Sequence, residues 1–259
     1  MTEDAGDQGQ GARGPDHYSY SVYADPAMAE RFEAMRFGGP IGRLVAETQA
    51  QQILGGISPL AGRSVLDVGT GTGRAAILLA RAGAVVTAVD ASGEMLAVAE
   101  RRARDAGVAV TFAAGDAHRL EFADRSFDVV VCLRVLMHTP DWRASLRELC
   151  RVASGQLVFD FPSLYSTAAV QAATRRVTRR FDASVEAYRV FAPSAVARVL
   201  AQGGFRVDRV HRQFVLPIAL HKTINSAAFT TGVETALTRL GLMRLFGSPI
   251  TMIATRERT

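Results

Sequence analysis

The sequence predicts an α/β fold, with helices on both faces of a mostly parallel sheet. From residue 63 onward, short apolar stretches alternate with stretches of helical periodicity, as in chains built from successive strand–helix units. The stretches VLDV, FDVVVC and LVFDF are almost continuously apolar, as strands covered on both sides are. A glycine-rich junction, GTGTG, separates the first strand from its helix. Together these features favour a sheet whose loops at one edge form a ligand site.

The first half of the pattern gives four strands, expected at 64–68, 85–90, 108–116 and 126–135. A helix follows the glycine-rich junction and ends at Gly83, because glycine commonly terminates helices. Ser92 is placed to cap the next helix, which runs to Gly107. Asp141, behind Pro140, is placed to cap a helix that ends at Val152.

The second half continues with a strand at 155–161, a helix from Pro193 to Gly203, and strands at 205–215 and 248–256. The strand at 205–215 alternates apolar and polar residues, which indicates one solvated face. Two short helices are expected before the sheet, at 26–36 and 41–57. We divide the chain into a disordered tail at 1–16, a helical cap or lid at 17–60, and a main domain at 61–259. Insertions at 163–191 and 216–248 of that domain are expected to define the substrate.

The composition excludes a disordered, a collagen-like or a disulfide-framework protein. The chain has 259 residues, of which 48% are hydrophobic and 21% charged, and its net charge is +5. The basic residues are scattered arginines without an aromatic stacking surface, so we expect no nucleic-acid partner. The sequence contains no apolar run long enough for a transmembrane helix, so we expect no stable insertion into a membrane. Peripheral association of the protein with a membrane surface is left open. Two cysteines far apart predict a reducing, cytoplasmic location. The sequence shows no cluster of cysteine, histidine and carboxylate residues that would indicate a metal site.

The glycine-rich junction points to an anionic or carboxylate-bearing ligand. Glycines allow positive φ angles and close approach of a ligand, and the helix that follows presents free N–H groups. Taken alone, this junction also fits the dinucleotide fingerprint G-x-G-x-x-A or a purely structural turn. Three further features are Asp67, two residues before the first glycine, Asp116 in the GDA sequence that ends the third strand, and the FDVV sequence that opens the fourth. This combination disfavours a nicotinamide-dependent oxidoreductase.

The ordered set DVGTGTG, VDAS, GDA and FDVV resembles the class I S-adenosylmethionine-dependent methyltransferases, and most closely the group that includes ubiquinone and menaquinone biosynthesis enzymes. The resemblance is firm over 63–161 and looser over 192–256. It implies a Rossmann-like sheet of seven strands, mostly parallel, with an antiparallel last strand. It also implies S-adenosyl-L-methionine as cofactor.

The resemblance implies roles for individual residues. Asp67 would help to hold the amino group of the cofactor, and Asp90 would accept hydrogen bonds from the ribose hydroxyls. The residues lining the methionine part would be Gly69, Thr70, Gly71 and Gly73, with Arg134 at its end. The residues around the adenine would be Ala91 and Met95 on its flanks and Asp116 and Ala117 at its edge. Asp67 and Asp116 could instead cap turns, Met95 could belong to the core, and Arg134 could meet the cofactor carboxylate or an anionic substrate.

His138 is the candidate general base, because it follows the fourth strand and the unperturbed pKa of a histidine side chain suits proton transfer near neutrality. Contact with cofactor or substrate, or a role in loop architecture, are alternatives. His17, with Tyr18, Tyr20 and Tyr23, could form a lid or a surface segment.

The expected reaction is methyl transfer by in-line displacement to a small, hydrophobic or aromatic acceptor such as a natural product, quinone or lipid-like molecule. The alternative is a protein of the same fold that binds the cofactor without transferring its methyl group. The acceptor's methylated atom is left open, and a homodimer is compatible with the sequence. Val233, Leu237 and Leu240 could form an apolar wall over the site or ordinary core. An arginine cluster could grip an anion or be a solvated face; it contains Arg175, Arg176, Arg179 and Arg180.

Overall fold

A computed structural model of the chain describes residues 25–57, 59–178 and 188–257. Its sheet has seven strands in the order β3-β2-β1-β4-β5-β7-β6. Strands β1 to β5 run parallel, whereas β7 lies antiparallel between β5 and β6. The strands are β1 Ser64–Val68, β2 Val85–Asp90, β3 Thr111–Ala114, β4 Phe127–Cys132, β5 Ala153–Phe161, β6 Phe205–Phe214 and β7 Ser248–Arg256. The predicted Rossmann-like α/β fold with an antiparallel last strand is confirmed.

Ten α-helices surround this sheet in the described part of the chain, with a 3-10 turn at Leu136–His138. The helices are α1 Pro26–Phe37, α2 Gly39–Gly56, α3 Arg74–Arg81, α4 Gly93–Asp105, α5 Trp142–Val152, α6 Thr167–Thr178, α7 Pro193–Gln202, α8 Ile218–Ile224, α9 Ala227–Arg239 and α10 Leu242–Phe246. Ser92 caps α4 and Asp141 caps α5 through side-chain hydrogen bonds, as predicted.

The core lies on both faces of the sheet, in two separate clusters of buried residues. One contains Leu66, Val130 and Phe159 and packs against α5 and α7, and the other contains Val65, Val131 and Ile53 and packs against α2 and α3. Both cysteines, Cys132 and Cys150, are free thiols buried in this core. Because both faces are covered, the sheet offers ligands its carboxyl edge, where the loops after β1, β2 and β4 meet.

The third strand is shorter than predicted. It spans Thr111–Ala114 rather than 108–116, and three of its four residues are exposed. At the edge of the sheet it pairs with β2 alone, so its ends lack a second ladder to extend them. Asp116 therefore follows the strand in a turn, where it forms an isolated bridge with Arg119.

The segment 216–248 forms helices packed around a buried polar cluster. His221 Nε2 lies 2.8 Å from Glu234 Oε1, and His221 Nδ1 lies 3.0 Å from Thr230 Oγ1. The Glu234 carboxylate also accepts hydrogen bonds from the backbone N–H groups of Val215, at 2.8 Å, and Leu216, at 3.0 Å. These contacts tie the end of β6 to α8 and α9. How the chain divides into domains stays a prediction.

Candidate functional site

The loop between β1 and α3 needs glycine for two different reasons. Gly69 has a φ of +69°, and a Cβ there would lie 2.2 Å from a Val135 side-chain carbon. Gly71 has a φ of +55°, but a Cβ there would meet nothing within 4 Å. Gly69 therefore lets the loop pass the β4 loop closely, whereas Gly71 faces open space. That open space is the cleft described below.

Asp67 lies at the bottom of this cleft and is almost completely buried. The Thr70 hydroxyl donates a hydrogen bond to Asp67 Oδ2 at 2.7 Å. Burial raises the pKa of Asp67 to about 6, against the lowering effects of Thr70 and of Arg74. Asp67 is thus joined to the glycine loop through Thr70, and it presents to the cleft a carboxyl group whose pKa is raised to about 6.

Asp90 ends β2 and fixes two backbone segments. Its Oδ2 accepts a hydrogen bond from Gly71 N at 2.7 Å, and its Oδ1 accepts one from Ser92 N at 2.9 Å. Burial raises the pKa of Asp90, and these backbone hydrogen bonds oppose the rise. The same carboxylate therefore sets the conformation of the glycine loop and lines the cleft beside it.

The far end of the cleft is bordered by the turn after β3. Asp116 Oδ1 accepts a hydrogen bond from His118 N at 2.8 Å and lies 2.7 Å from His118 Nδ1. Asp116 caps its turn, as the alternative interpretation had it, and still lines the cleft. Met95 is buried against Ala29 and Val98, and it too lines the cleft. For Met95, core packing and cleft lining both hold.

Helix α1 covers the cleft and is fastened to the glycine loop. Thr72 Oγ1 donates a hydrogen bond to Glu33 Oε1 at 2.7 Å. Arg102 on α4 lies 3.2 Å from the same Glu33 oxygen and donates to the Thr72 carbonyl at 2.9 Å. Phe32 and Phe37 of α1 also line the cleft. The helix therefore forms an aromatic roof over the loop.

Arg74, the first residue of α3, is a site residue that the sequence did not reveal. Its guanidinium lies 4.0 Å from the centre of the Phe37 ring and donates a hydrogen bond to Gln49 Oε1. Its Nε is buried without a hydrogen-bond partner. Burial lowers the pKa of Arg74, while the nearby carboxylates Glu33, Asp67 and Asp160 raise it. A buried guanidinium with an unused donor in a cleft wall is suited to bind an acceptor atom of a ligand.

Arg134 and His138 come from the loop after β4. Arg134 adopts a φ of +64°, and its backbone N–H donates to Asp160 Oδ1. A non-glycine residue in the left-handed region is uncommon and is often associated with functional sites. His138 ends the 3-10 turn and lines the same cleft.

These residues enclose about 1110 Å³ of empty space, including the open mouth of the cleft. The predicted residues that line it are Asp67, Gly69, Thr70, Gly71, Asp90, Ala91, Met95, Asp116, Ala117, Arg134 and His138. Gly73 is the exception, because it faces α4, where a Cβ would lie 2.9 Å from the Ala99 Cβ. Its role is close helix packing rather than ligand contact.

Other predicted features are placed differently or not described. Val233, Leu237 and Leu240 do not line this cleft, and Leu240 is 74% exposed. Arg175 lies on α6 with its guanidinium 5.2 Å from the Tyr188 ring centre. Arg176 follows on the same helix. Arg179, Arg180 and the proposed lid histidine and tyrosines lie outside the described residues.

In the described ranges, no helix is both long and apolar enough to cross a bilayer. No group of three or more His, Cys, Asp or Glu residues there could hold a metal ion.

Comparison with known sequences relates this site to methyltransferases. Residues 65–155 match a family described as a methyltransferase domain. The chain is 34% identical over 140 residues to a methyltransferase, GfsG, from Streptomyces halstedii, an alignment that covers 53% of this chain and 47% of that protein. It therefore spans about half the length of that curated relative, and 36–41% of the length of the next three.

A longer alignment is found with a ubiquinone biosynthesis O-methyltransferase from Pseudomonas putida. The identity is 31% over 175 residues, which cover 64% of this chain and 75% of that enzyme. Among solved structures, magnesium protoporphyrin IX methyltransferase from Synechocystis, determined with bound SAM, superposes with a TM-score of 0.64. That alignment covers 96% of this chain and 100% of the other at 18% identity. At this identity the likeness supports the fold alone.

Proposed function

Because this chain belongs to the class I S-adenosylmethionine-dependent methyltransferases, we propose that it transfers a methyl group from S-adenosyl-L-methionine to a small acceptor with an apolar or aromatic body. The observation that carries the proposal is a cleft at the carboxyl edge of the sheet, which Asp67, the glycine loop and Asp90 line together. A quinol acceptor fits the name of one aligned relative, a ubiquinone biosynthesis O-methyltransferase.

The residues present fit this cofactor. Gly71 leaves open space where a side chain would block a ligand. The buried, unpartnered Nε of Arg74 is suited to a carboxylate, and Asp67 to an ammonium group. Asp90 would receive the ribose hydroxyls, while Met95, Ala91 and Asp116 would border the adenine. The donor set therefore matches a zwitterionic amino acid joined to a nucleoside.

When bound, the cofactor supplies a sulfonium-activated methyl group. The chain's own part is to orient the acceptor and to exclude water, since alignment of the reacting groups supplies much of the rate in such a displacement. Helix α1, fastened through Glu33 and Thr72, closes the roof of the cleft. For an acceptor that arrives protonated, the His138 imidazole receives its proton.

The test is a pair of measurements on the wild-type chain. Calorimetry is expected to give micromolar affinity for S-adenosylhomocysteine, the demethylated product. Incubation with the cofactor and a panel of phenols and quinols is expected to release S-adenosylhomocysteine. Binding without release for any acceptor would favour the alternative, a cofactor-binding protein without transfer. Absence of binding would overturn both.

The affinity for S-adenosylhomocysteine is expected to rise with pH. Asp67 has a pKa of about 6 and must be ionised to pair with the ligand's ammonium group. Affinity should therefore increase about tenfold between pH 5 and pH 7 and then level off, as follows from linkage to one proton. The measurement is calorimetry across this pH range.

Methylthioadenosine provides the control, because it lacks the amino-acid part of the product. Its affinity should stay nearly constant over the same range, and Asp67→Asn should remove the pH dependence for S-adenosylhomocysteine. If the affinities for the two ligands rose equally with pH, the pH dependence would belong to another group in the cleft.

His138→Ala is expected to slow turnover without weakening the cofactor site. General-base catalysis typically contributes about 10²- to 10⁴-fold, so we expect a loss of at least about 100-fold in methyl transfer to a phenol. The affinity for S-adenosylhomocysteine should change by less than about threefold. A parallel loss of affinity would make His138 a cofactor contact, and normal turnover would exclude it as the base.

A further inference from the structure

A second cleft adjoins the first at the carboxyl edge of the sheet. Arg134 and Phe37 line both, and the second cleft continues toward β6, β7 and α8. It encloses about 870 Å³ of empty space, including its mouth. Because the shared wall lies beside Asp67 and Arg74, the second cleft opens onto the end of the cofactor cleft that would hold the methionine part.

Several side chains that line this second cleft carry hydrogen-bond donors. Arg36 and Arg134 line it, together with Lys222, which is the only lysine in the chain. Gln213 Nε2 and His211 Nε2 are buried there, and neither has a hydrogen-bond partner. An amide nitrogen, an ammonium group and a guanidinium can only donate. A ligand that satisfies them must therefore present acceptor oxygens.

Asp160 is the one carboxylate among the described residues that line this cleft, against three cations. Its two oxygens accept hydrogen bonds from Arg134 N and from Gln49 Nε2, the latter at 3.4 Å. Burial raises the pKa of Asp160, and the charges of Arg134 and Arg74 oppose the rise. Lys222 Nζ lies 3.3 Å from the Met35 carbonyl and 3.2 Å from that of Arg36, both neutral acceptors.

The cations also act on one another. Burial lowers the pKa of Lys222, and the charges of Arg36 and Arg134 lower it further. Burial likewise lowers the pKa of His211. A bound anion would relieve the repulsion among the three cations, which is why such clusters recognise carboxylates and phosphates.

We infer that the second cleft binds an anionic group, a carboxylate or a phosphate, on the acceptor molecule, with Arg134, Lys222 and Gln213 as its donors. The inference rests on the proposed function in one respect, namely that the ligand of this cleft is the methyl acceptor. The apolar part of the acceptor would lie against Phe37 and Ile218, which line the same cleft. Holding the anion at Lys222 places the remainder of the molecule toward the shared wall and the cofactor.

The single lysine allows a direct test. Reductive methylation with ¹³C-formaldehyde labels Lys222 and the α-amino group, and both keep their charge. Benzoate and phenyl phosphate are expected to shift the Lys222 methyl resonance saturably, and the α-amino resonance should not move. Neutral benzamide should bind at least tenfold more weakly than benzoate. Whichever anion binds more tightly identifies the group as carboxylate or phosphate.

Variants then locate the site. Gln213→Glu places a negative charge in the cleft, which repels benzoate. It is expected to weaken the affinity for benzoate at least tenfold and to leave the affinity for benzamide unchanged. Arg239→Gln removes an exposed cation from α9, outside the cleft, and should have no effect. Equal binding of benzoate and benzamide, binding of neither anion at 50 mM, or an equal loss in Arg239→Gln would overturn the inference.

The two proposals fail separately. Calorimetry with S-adenosylhomocysteine on the same samples reports the cofactor cleft and the integrity of the Gln213→Glu fold. If S-adenosylhomocysteine binds and benzoate does not, only the anion site is overturned. If benzoate binds and S-adenosylhomocysteine does not, the methyltransferase proposal is overturned and an anion site is left.

Discussion

Asp90→Ala is expected to weaken the binding of S-adenosylhomocysteine at least about 100-fold, or about 2.7 kcal/mol. The substitution removes the acceptor for the ribose hydroxyls and also leaves Gly71 N and Ser92 N without their partner. Loss of a buried, charged hydrogen-bond acceptor commonly costs several kcal/mol when both effects combine. The measurement is calorimetry at pH 7.5.

Two comparisons make this result specific. Asp90→Ala should weaken the binding of methylthioadenosine as strongly as that of S-adenosylhomocysteine, because both ligands carry the ribose. Asp67→Asn should weaken the binding of S-adenosylhomocysteine alone. Asp105→Ala removes an exposed carboxylate at the end of α4 and should change neither affinity. An Asp90→Ala protein that binds within threefold of the wild type would contradict the assignment of Asp90 to the ribose.

Glu234→Ala is expected to lower the free energy of unfolding by about 3 kcal/mol. Glu234 accepts hydrogen bonds from Val215 N and Leu216 N and contacts His221, all in the interior of the α8–α9 segment. Each buried donor left unsatisfied costs roughly 1–3 kcal/mol. Urea unfolding followed by circular dichroism measures the loss.

The matched control is Glu100→Ala, because Glu100 is exposed and its ion pair with Arg104 spans 3.9 Å. Such pairs contribute little, so its unfolding midpoint should stay close to that of the wild type. Glu234→Ala should leave the affinity for S-adenosylhomocysteine unchanged below its unfolding transition, since α9 does not line the cofactor cleft. An unchanged unfolding midpoint would show that His221, Thr230 and Glu234 do not brace the fold.

The cofactor half of the molecule could be predicted from sequence because its signals are local. β1 and β2 were expected at the residues where they occur, since their apolar runs are bounded by a glycine loop and a capped helix. The roles of Asp67 and Asp90 stay predictions, but both line the cleft. The Asp141 cap was predicted for the same local reason.

The roof and the second cleft could not be predicted, because they depend on contacts between distant segments. Glu33 meets Thr72 across 39 positions, and Arg74 meets Gln49 across 25. Arg74 directly follows the glycine motif, but no periodicity shows that its guanidinium turns toward Phe37. Likewise, His211, Lys222 and Arg134 are far apart in sequence and line one cleft only in the folded chain.

The burial of both thiols has a consequence for chemical modification. Burial raises the pKa of Cys150 to about 12 and that of Cys132 well above its ordinary value, and thiols react as thiolates. Alkylating reagents and peroxides should therefore spare the native chain and attack it only when the core opens. The rate of thiol capture thus reports how often the whole domain unfolds, without any added label.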